Sequence, residues 1–231
     1  MPRRSRIIVP GVPLHIIQRG NNRQPCFFAD EDYQHYIEWL KEYPQSAGCS
    51  IHAFVLMTNN VHLLLTPQRN ESAGTLMKRL GQRYVQFINR TYKRTGTLWE
   101  GRFRSSVIEQ ESYLLLCQRY IELNPVRAGM VDHPSQYRWS SYRQNGQGER
   151  FEVNDPHEFY LKLAEAHEER LLAYRALFRH ELPPGEIDKI RKATNGNFAL
   201  GSSRFSEEIG EMLGRRVIPG KAGRPRKKDS G

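Results

Sequence analysis

Cysteine is scarce in this chain: Cys26, Cys49 and Cys117 stand far apart, odd in number, with no C-x-x-C pair. Neither a disulfide framework nor a structural zinc site is supported, so the three read as buried apolar residues. Long apolar runs are missing too. No stretch reaches the length of a membrane span, and the opening Met1-Pro2-Arg3-Arg4-Ser5-Arg6 lacks the apolar core of a secretory signal. A cytoplasmic protein with no membrane partner is expected. No internal repeat is found, and 231 residues suit one principal domain with an appendage.

Acidic residues are absent where basic ones are dense. Residues 1–29 hold five Arg and no acid, and residues 69–104 hold nine Lys or Arg against Glu71 and Glu100. Residues 214–231 hold seven basic residues against Asp229, which is +6 of the net +10. Residues 155–213, by contrast, carry eleven acids and eight bases. A polyanion such as nucleic acid is expected at the first half and the tail, and not in the middle; a charged surface serving solubility is the alternative.

Residues 57–65, Met57-Thr58-Asn59-Asn60-Val61-His62-Leu63-Leu64-Leu65, join a polar knot to an unbroken apolar run. Alternation along a strand places Asn60 and His62 on one face and Val61 and Leu63 on the other. Two potential metal ligands then lie side by side, although a core histidine with a satisfied hydrogen bond fits the same stretch. Residues 51–57 read as the partner strand, with Thr58-Asn59 turning the hairpin. Farther on, apolar residues at 113, 116, 117, 120 and 121 follow the helical period, and Pro125 makes Asn124 the expected last helical residue. Tyr120 and Asn124 thus share a helix face one turn apart, and Tyr113 is an equal candidate by spacing.

In chain order, a first strand is expected at residues 13–19, followed by the polar, basic loop 20–23. A helix over 30–45, capped by Asp30, turns Tyr33, Tyr36, Ile37 and Leu40 to one face. After the hairpin comes a long helix over 71–94 with its stripe at Leu76, Met77, Leu80, Tyr84, Phe87 and Ile88. Arg79, Arg83, Arg90 and Arg94 flank that stripe in a row, either as a track for a DNA backbone or as a solvated helix face. A last strand over 99–109 leads into the Tyr120 helix. This order predicts an α+β fold, a ferredoxin-like antiparallel sheet with helices on one face, one extra helix and a C-terminal α-helical extension. The expected division is a principal domain at 1–144, a linker at 145–154, the helical extension at 155–213 and a basic tail at 214–231. Within the extension, helices are expected over 155–182, 184–193 and 202–213.

Four segments together resemble the REP-associated tyrosine transposases: Gln18-Arg19-Gly20-Asn21-Asn22-Arg23, residues 55–64, Gly96-Thr97-Leu98-Trp99-Glu100-Gly101-Arg102, and residues 119–129. That family carries an H-x-H metal motif and one nucleophilic tyrosine; here Asn60 stands where the first His belongs. The resemblance implies the same fold, Tyr120 as nucleophile, and His62, Asn124 and Asn60 as ligands of Mg²⁺ or Mn²⁺, since oxygen-rich sets suit hard cations. It implies cleavage and strand transfer on single-stranded DNA hairpins through a 5′-phosphotyrosine. The alternative is a DNA-binding protein that kept the fold and lost the chemistry. Arg19, Asn21, Arg23 and Arg102 fall in the matching segments and are expected at the DNA, while Trp99 and Phe103 are candidates either to stack on bases or to fill the core. Residues 220–228 resemble an AT-hook around Gly223-Arg224-Pro225-Arg226, which implies binding of A·T-rich duplex; a basic tail with weak affinity for any polyanion is the alternative. Such a protein is expected near the bacterial nucleoid, as a monomer or a homodimer.

Overall fold

The computed structural model describes residues 5–150 and 152–220. Its first half runs β1 (Leu14–Arg19), α1 (Asp30–Ala47), β2 (Cys49–Met57), β3 (Asn60–Pro67), α2 (Ser72–Thr91), β4 (Arg104–Val107) and α3 (Gln110–Glu122). The four strands pair antiparallel in the order β2-β3-β1-β4, the ferredoxin-like α+β arrangement expected. The hairpin closes at the Met57↔Asn60 pair. Its turn is held from the side, because Gly20 N donates to Asn59 O and Cys26 N to Thr58 O, both at 2.8 Å.

Register assigns the two faces. His15, Ile17 and Arg19 stand opposite Leu64, His62 and Asn60, so all six share one face, and Leu14, Ile16 and Gln18 share the other with Leu65, Leu63 and Val61. Gln18 opens toward Met77 and Gly81 of α2, whereas His15 and His62 meet Tyr120 of α3. The two helices of the ferredoxin-like unit therefore lie on one face, and the extra helix lies on the other. Burial on both sides explains why Leu63, Leu64 and Leu65 follow one another without a polar break.

Several boundaries differ from the sequence expectations for identifiable reasons. Asp30 does not cap α1: the Asp32 carboxylate accepts from Ala29 N at 3.0 Å and Phe28 N at 2.7 Å, and Asp30 pairs with Arg138. Helix α2 stops at Thr91, short of Arg94, where Lys93 turns left-handed at φ 51°. Strand β4 starts at Arg104 because Gly101, at φ 121°, breaks the extended path, leaving Trp99 with one isolated bridge to Gly20. Asn124 does not end a helix either. It opens a short one, α4 (Asn124–Arg127), with Pro125 in the first turn, where the missing N–H leaves nothing unsatisfied.

Beyond α4 lie α5 (Tyr142–Gln147), α6 (Glu158–Leu161), α7 (His167–Ala176), α8 (Pro184–Gly196) and α9 (Ser203–Leu213). Residues 145–154, expected as a linker, begin inside α5 and bury Asn145 and Asn154. The single helix expected over 155–182 is divided, and the guanidinium of Arg170 binds the carbonyls of Ala164 and Glu165 at the break. The C-terminal half also covers both sheet edges. Residues 139–141 run beside β2, with Leu56 N donating to Trp139 O at 2.9 Å, and Leu200 N donates to Val107 O of β4 at 2.9 Å. Unpaired strand edges are thereby removed. All three cysteines are buried free thiols.

Candidate active site

Strand alternation brings His15 and His62 together, their rings stacked at 5.2 Å, and α3 lays Tyr120 edge-on against both, at 5.6 Å from His15 and 6.1 Å from His62. A relay of hydrogen bonds runs through the pair. The Thr194 hydroxyl donates to Ile190 O at 2.9 Å, so it accepts from His15 Nδ1 at 2.9 Å. Burial, and then Arg127, holds His15 at a pKa of about 3; burial, followed by His15, Arg127 and Arg19, holds His62 well below the usual histidine value. Both rings are neutral at pH 7. His15 Nε2 is then an acceptor, His62 Nδ1–H donates to it at 2.9 Å, and His62 Nε2 keeps its lone pair. That is the form a metal requires, oriented from behind as metal-ligating histidines are.

Other polar atoms in the site are unspent. Asn60 Nδ2 donates to Asn59 Oδ1 at 2.7 Å, which leaves the Asn60 carbonyl oxygen buried and without a partner. The Asn124 oxygen accepts from Arg127 Nη2 at 2.8 Å, and its Nδ2 is buried without a partner. Among the described residues no group of three His, Cys, Asp or Glu could hold a metal. The His62 nitrogen and the Asn60 oxygen, two neutral donors from one strand face, nevertheless fit a hard divalent cation, while the Asn124 oxygen is turned to a guanidinium. Tyr113 stands elsewhere, in a cleft with Lys189 and Leu200 of the C-terminal half.

The expected DNA-binding residues fall into two groups. Arg19 lies opposite Asn60 in the sheet and donates to Asn195 Oδ1 at 2.9 Å. Burial, and then Arg104, lowers its pKa. Asn21 and Arg23 are exposed on a 3-10 turn over Asn21–Arg23. Arg102 lines a cleft of about 350 Å³ with Arg6, Phe103, Arg104, Asn195 and Asn197, and no acid contributes to its wall. The arginine row expected over residues 79–94 is not brought to this face: Arg79 donates to Ser46 of α1, Arg83 lies over Trp39, and Arg94, beyond the end of α2, lies over Phe28. Arg90 is exposed on the same helix. Trp99 and Phe103 are buried, Trp99 beside Tyr84 and Phe103 beneath the Arg6 guanidinium at 3.6 Å. Arg224 and Arg226 lie outside the described residues.

The sequence model of a family described as "Transposase IS200 like" matches residues 9–124, just over half of the 231-residue chain. The chain belongs to the IS200-like transposase family. It is therefore a protein of DNA processing. Among solved structures, a REP-associated tyrosine transposase bound to a REP hairpin aligns with a TM-score of 0.53 at 18% identity, over 67% of this chain and 94% of its own; this likeness shows the fold. A putative transposase from Deinococcus radiodurans aligns at 22% identity over 52% of this chain and 96% of its own, with a TM-score of 0.37. No curated protein matches the chain.

The span matched to the IS200-like transposases carries His15, Asn60, His62 and Tyr120 and stops at Asn124. Groups that hold them lie beyond it: Thr194 on His15, and the partners of Glu122. Glu122, two residues past Tyr120, is buried and accepts from Ser141 Oγ at 2.6 Å, Asn145 Nδ2 at 2.8 Å and the Tyr174 hydroxyl at 2.6 Å. Burial pushes its pKa up to about 7, against the pull of those three donors. These bonds tie the Tyr120 helix to α5 and α7. Sequence reasoning missed His15, Thr194 and Glu122 as site residues. His15 had a signal, since it alternates in phase with Arg19; Thr194 had none.

Proposed function

We propose that this transposase cleaves single-stranded DNA beside a hairpin and rejoins it, with Tyr120 as nucleophile. The observation that supports this most is the Tyr120 ring set against the neutral His62–His15 pair, beside arginines that face few acids. Tyr120 Oη forms a bond to phosphorus while the bond to the 3′-oxygen breaks. The phenolic proton leaves to solvent, the departing 3′-oxygen takes one up, and nothing is oxidised or reduced. The resulting 5′-phosphotyrosine retains the bond energy, so a 3′-hydroxyl attacks it in reverse and joins strands. A Mg²⁺ or Mn²⁺ ion held by His62 Nε2 and the Asn60 and Asn124 oxygens would polarise a non-bridging phosphate oxygen. His15 and Thr194 keep His62 in the tautomer this needs.

A REP-type hairpin with unpaired bases on its 5′ side is the proposed substrate, supported by the REP hairpin bound in the solved transposase of the same fold. Arg19, Asn21, Arg23 and Arg102 take the strand at the site. Arg79, Arg83, Arg90 and Arg94 serve the backbone farther away, and the tail with Arg224 and Arg226 takes A·T-rich duplex. A second reading, a hairpin-binding protein without chemistry, is favoured by the engagement of the Asn124 oxygen with Arg127. End-labelled hairpin DNA incubated with Mn²⁺ or Mg²⁺ separates the two: the catalytic reading expects a protein-linked labelled product that Tyr120→Phe removes. Hairpin binding with no such product at any metal concentration supports the second.

A further inference from the structure

Arg127 has hydrogen-bonding capacity that the folded chain does not use. Its Nη2 donates to Tyr120 O at 2.7 Å and to Asn124 Oδ1 at 2.8 Å, while Nε and Nη1 are sealed from water with no partner. Three of the five N–H donors of a guanidinium are thus unspent. Among the described residues none of the ion pairs includes it. The titratable groups that bear on it are the Tyr120 hydroxyl and a second cation, Arg191. Leaving buried donors and a charge unpaired is costly, so the arrangement calls for an anion supplied from outside. Its position names that anion. The guanidinium carbon lies 4.3 Å from the centre of the Tyr120 ring, and its charge is felt at both His15 and His62. As a residue Arg127 is half-buried.

The geometry points to Arg127 as the group that holds the phosphodiester attacked by Tyr120, a resident cation in a site where two of the three proposed metal ligands are amides. Guanidinium–phosphate bonds are charge-assisted and strengthen away from water. The inference rests on the reading of Tyr120 as nucleophile only for naming which phosphate is held.

The test uses binding, so that cleavage is not its readout. Full-length protein carrying Tyr120→Phe is titrated in EDTA with a hairpin bearing a single-stranded 5′ overhang, in which one neutral methylphosphonate is moved along the overhang. Arg127→Gln is expected to weaken binding of the all-phosphate hairpin roughly tenfold. One methylphosphonate position should weaken the Arg127 protein by a similar factor and leave the Gln variant unaffected. Arg127→Lys, which keeps the charge, should lose less and show the same sensitive linkage; it carries the test if circular dichroism finds the Gln variant unfolded. Losses that add at every linkage, or no loss on substitution, overturn the inference. If the coupled linkage is found but unmutated protein forms no adduct, the anion site stands and the Tyr120 reading falls. Adduct formation without any coupled linkage overturns the role of Arg127 alone.

Discussion

On the sheet face beneath α1 and α2, Phe27 stacks on Tyr33 at 4.3 Å, Tyr36 meets Tyr84 edge-on at 5.1 Å, and the buried Tyr84 hydroxyl donates to Cys26 O at 2.7 Å. On the face beneath α3, aromatic rings are equally close, yet two of them are histidines, and Asn60, Asn124 and Arg127 each keep buried polar atoms without partners. One side of the sheet uses its chemistry to stay folded. The first side also leaves Trp99 Nε1 and Arg94 Nη1 without partners, but the second gathers its unspent donors and acceptors around Tyr120, at a cost in stability that packing elsewhere offsets, as ligand sites do.

Substitutions of one tyrosine on each side divide the two roles most sharply. Tyr120→Phe should abolish the covalent DNA adduct while hairpin affinity and melting temperature barely move, and Tyr113→Phe should leave cleavage intact. Tyr84→Ala should do the reverse, costing about 3–5 kcal/mol in chemical denaturation while the folded fraction still cleaves. If Tyr84→Ala removed cleavage from folded protein, the separation of roles would be lost.

Glu122 joins the two functions, because it anchors the Tyr120 helix through a buried carboxyl. Its folded pKa of about 7 lies above the ordinary carboxylate value, so the native state binds the proton more tightly than the unfolded chain. Stability from this group is full below about pH 4.5 and is lost as pH rises to about 7, on the order of 3 kcal/mol in all. Denaturant midpoints measured across that window should fall with pH, and Glu122→Gln should flatten the slope.

Asn60 offers a smaller change of opposite sign. Asn60→His adds an imidazole on the His62 face and should raise cleavage roughly tenfold at limiting Mn²⁺, on the order of 1–3 kcal/mol of added ligation, without altering metal-free hairpin binding. A Mn²⁺ titration of both proteins measures this; no gain at any concentration would mean that Asn60 already serves or that the site is lost for another reason. The smallest effect belongs to the tail. Deleting residues 220–231 removes five basic residues and Asp229, which should flatten the salt dependence of A·T-rich duplex binding and spare hairpin cleavage. An unchanged salt slope would take the tail off the DNA.

Much of this architecture was legible because it is periodic. The apolar runs on either side of Thr58-Asn59 identified the hairpin, strand geometry put Asn60 and His62 on one face, and the helical stripe from Leu76 to Ile88 identified α2. The four separated motifs singled out Tyr120 over Tyr113, a choice that spacing alone left open. The apolar runs and the helical stripe are set over short distances, so neighbouring residues suffice to read them.

Long-range partners have no such pattern. His15 receives its tautomer from Thr194, 179 residues away, and Glu122 is held by Ser141, Asn145 and Tyr174 from two later segments. The burial of Asn145 in the stretch expected as a linker depends on its bond to Glu122, not on composition. Arg127 is the clearest case: its sequence position marks only a cation after a proline, and the state of its donors depends on what the folded chain leaves within reach. Local periodicity settles which face a side chain takes, whereas a buried polar group's partners are set by how distant segments close around it.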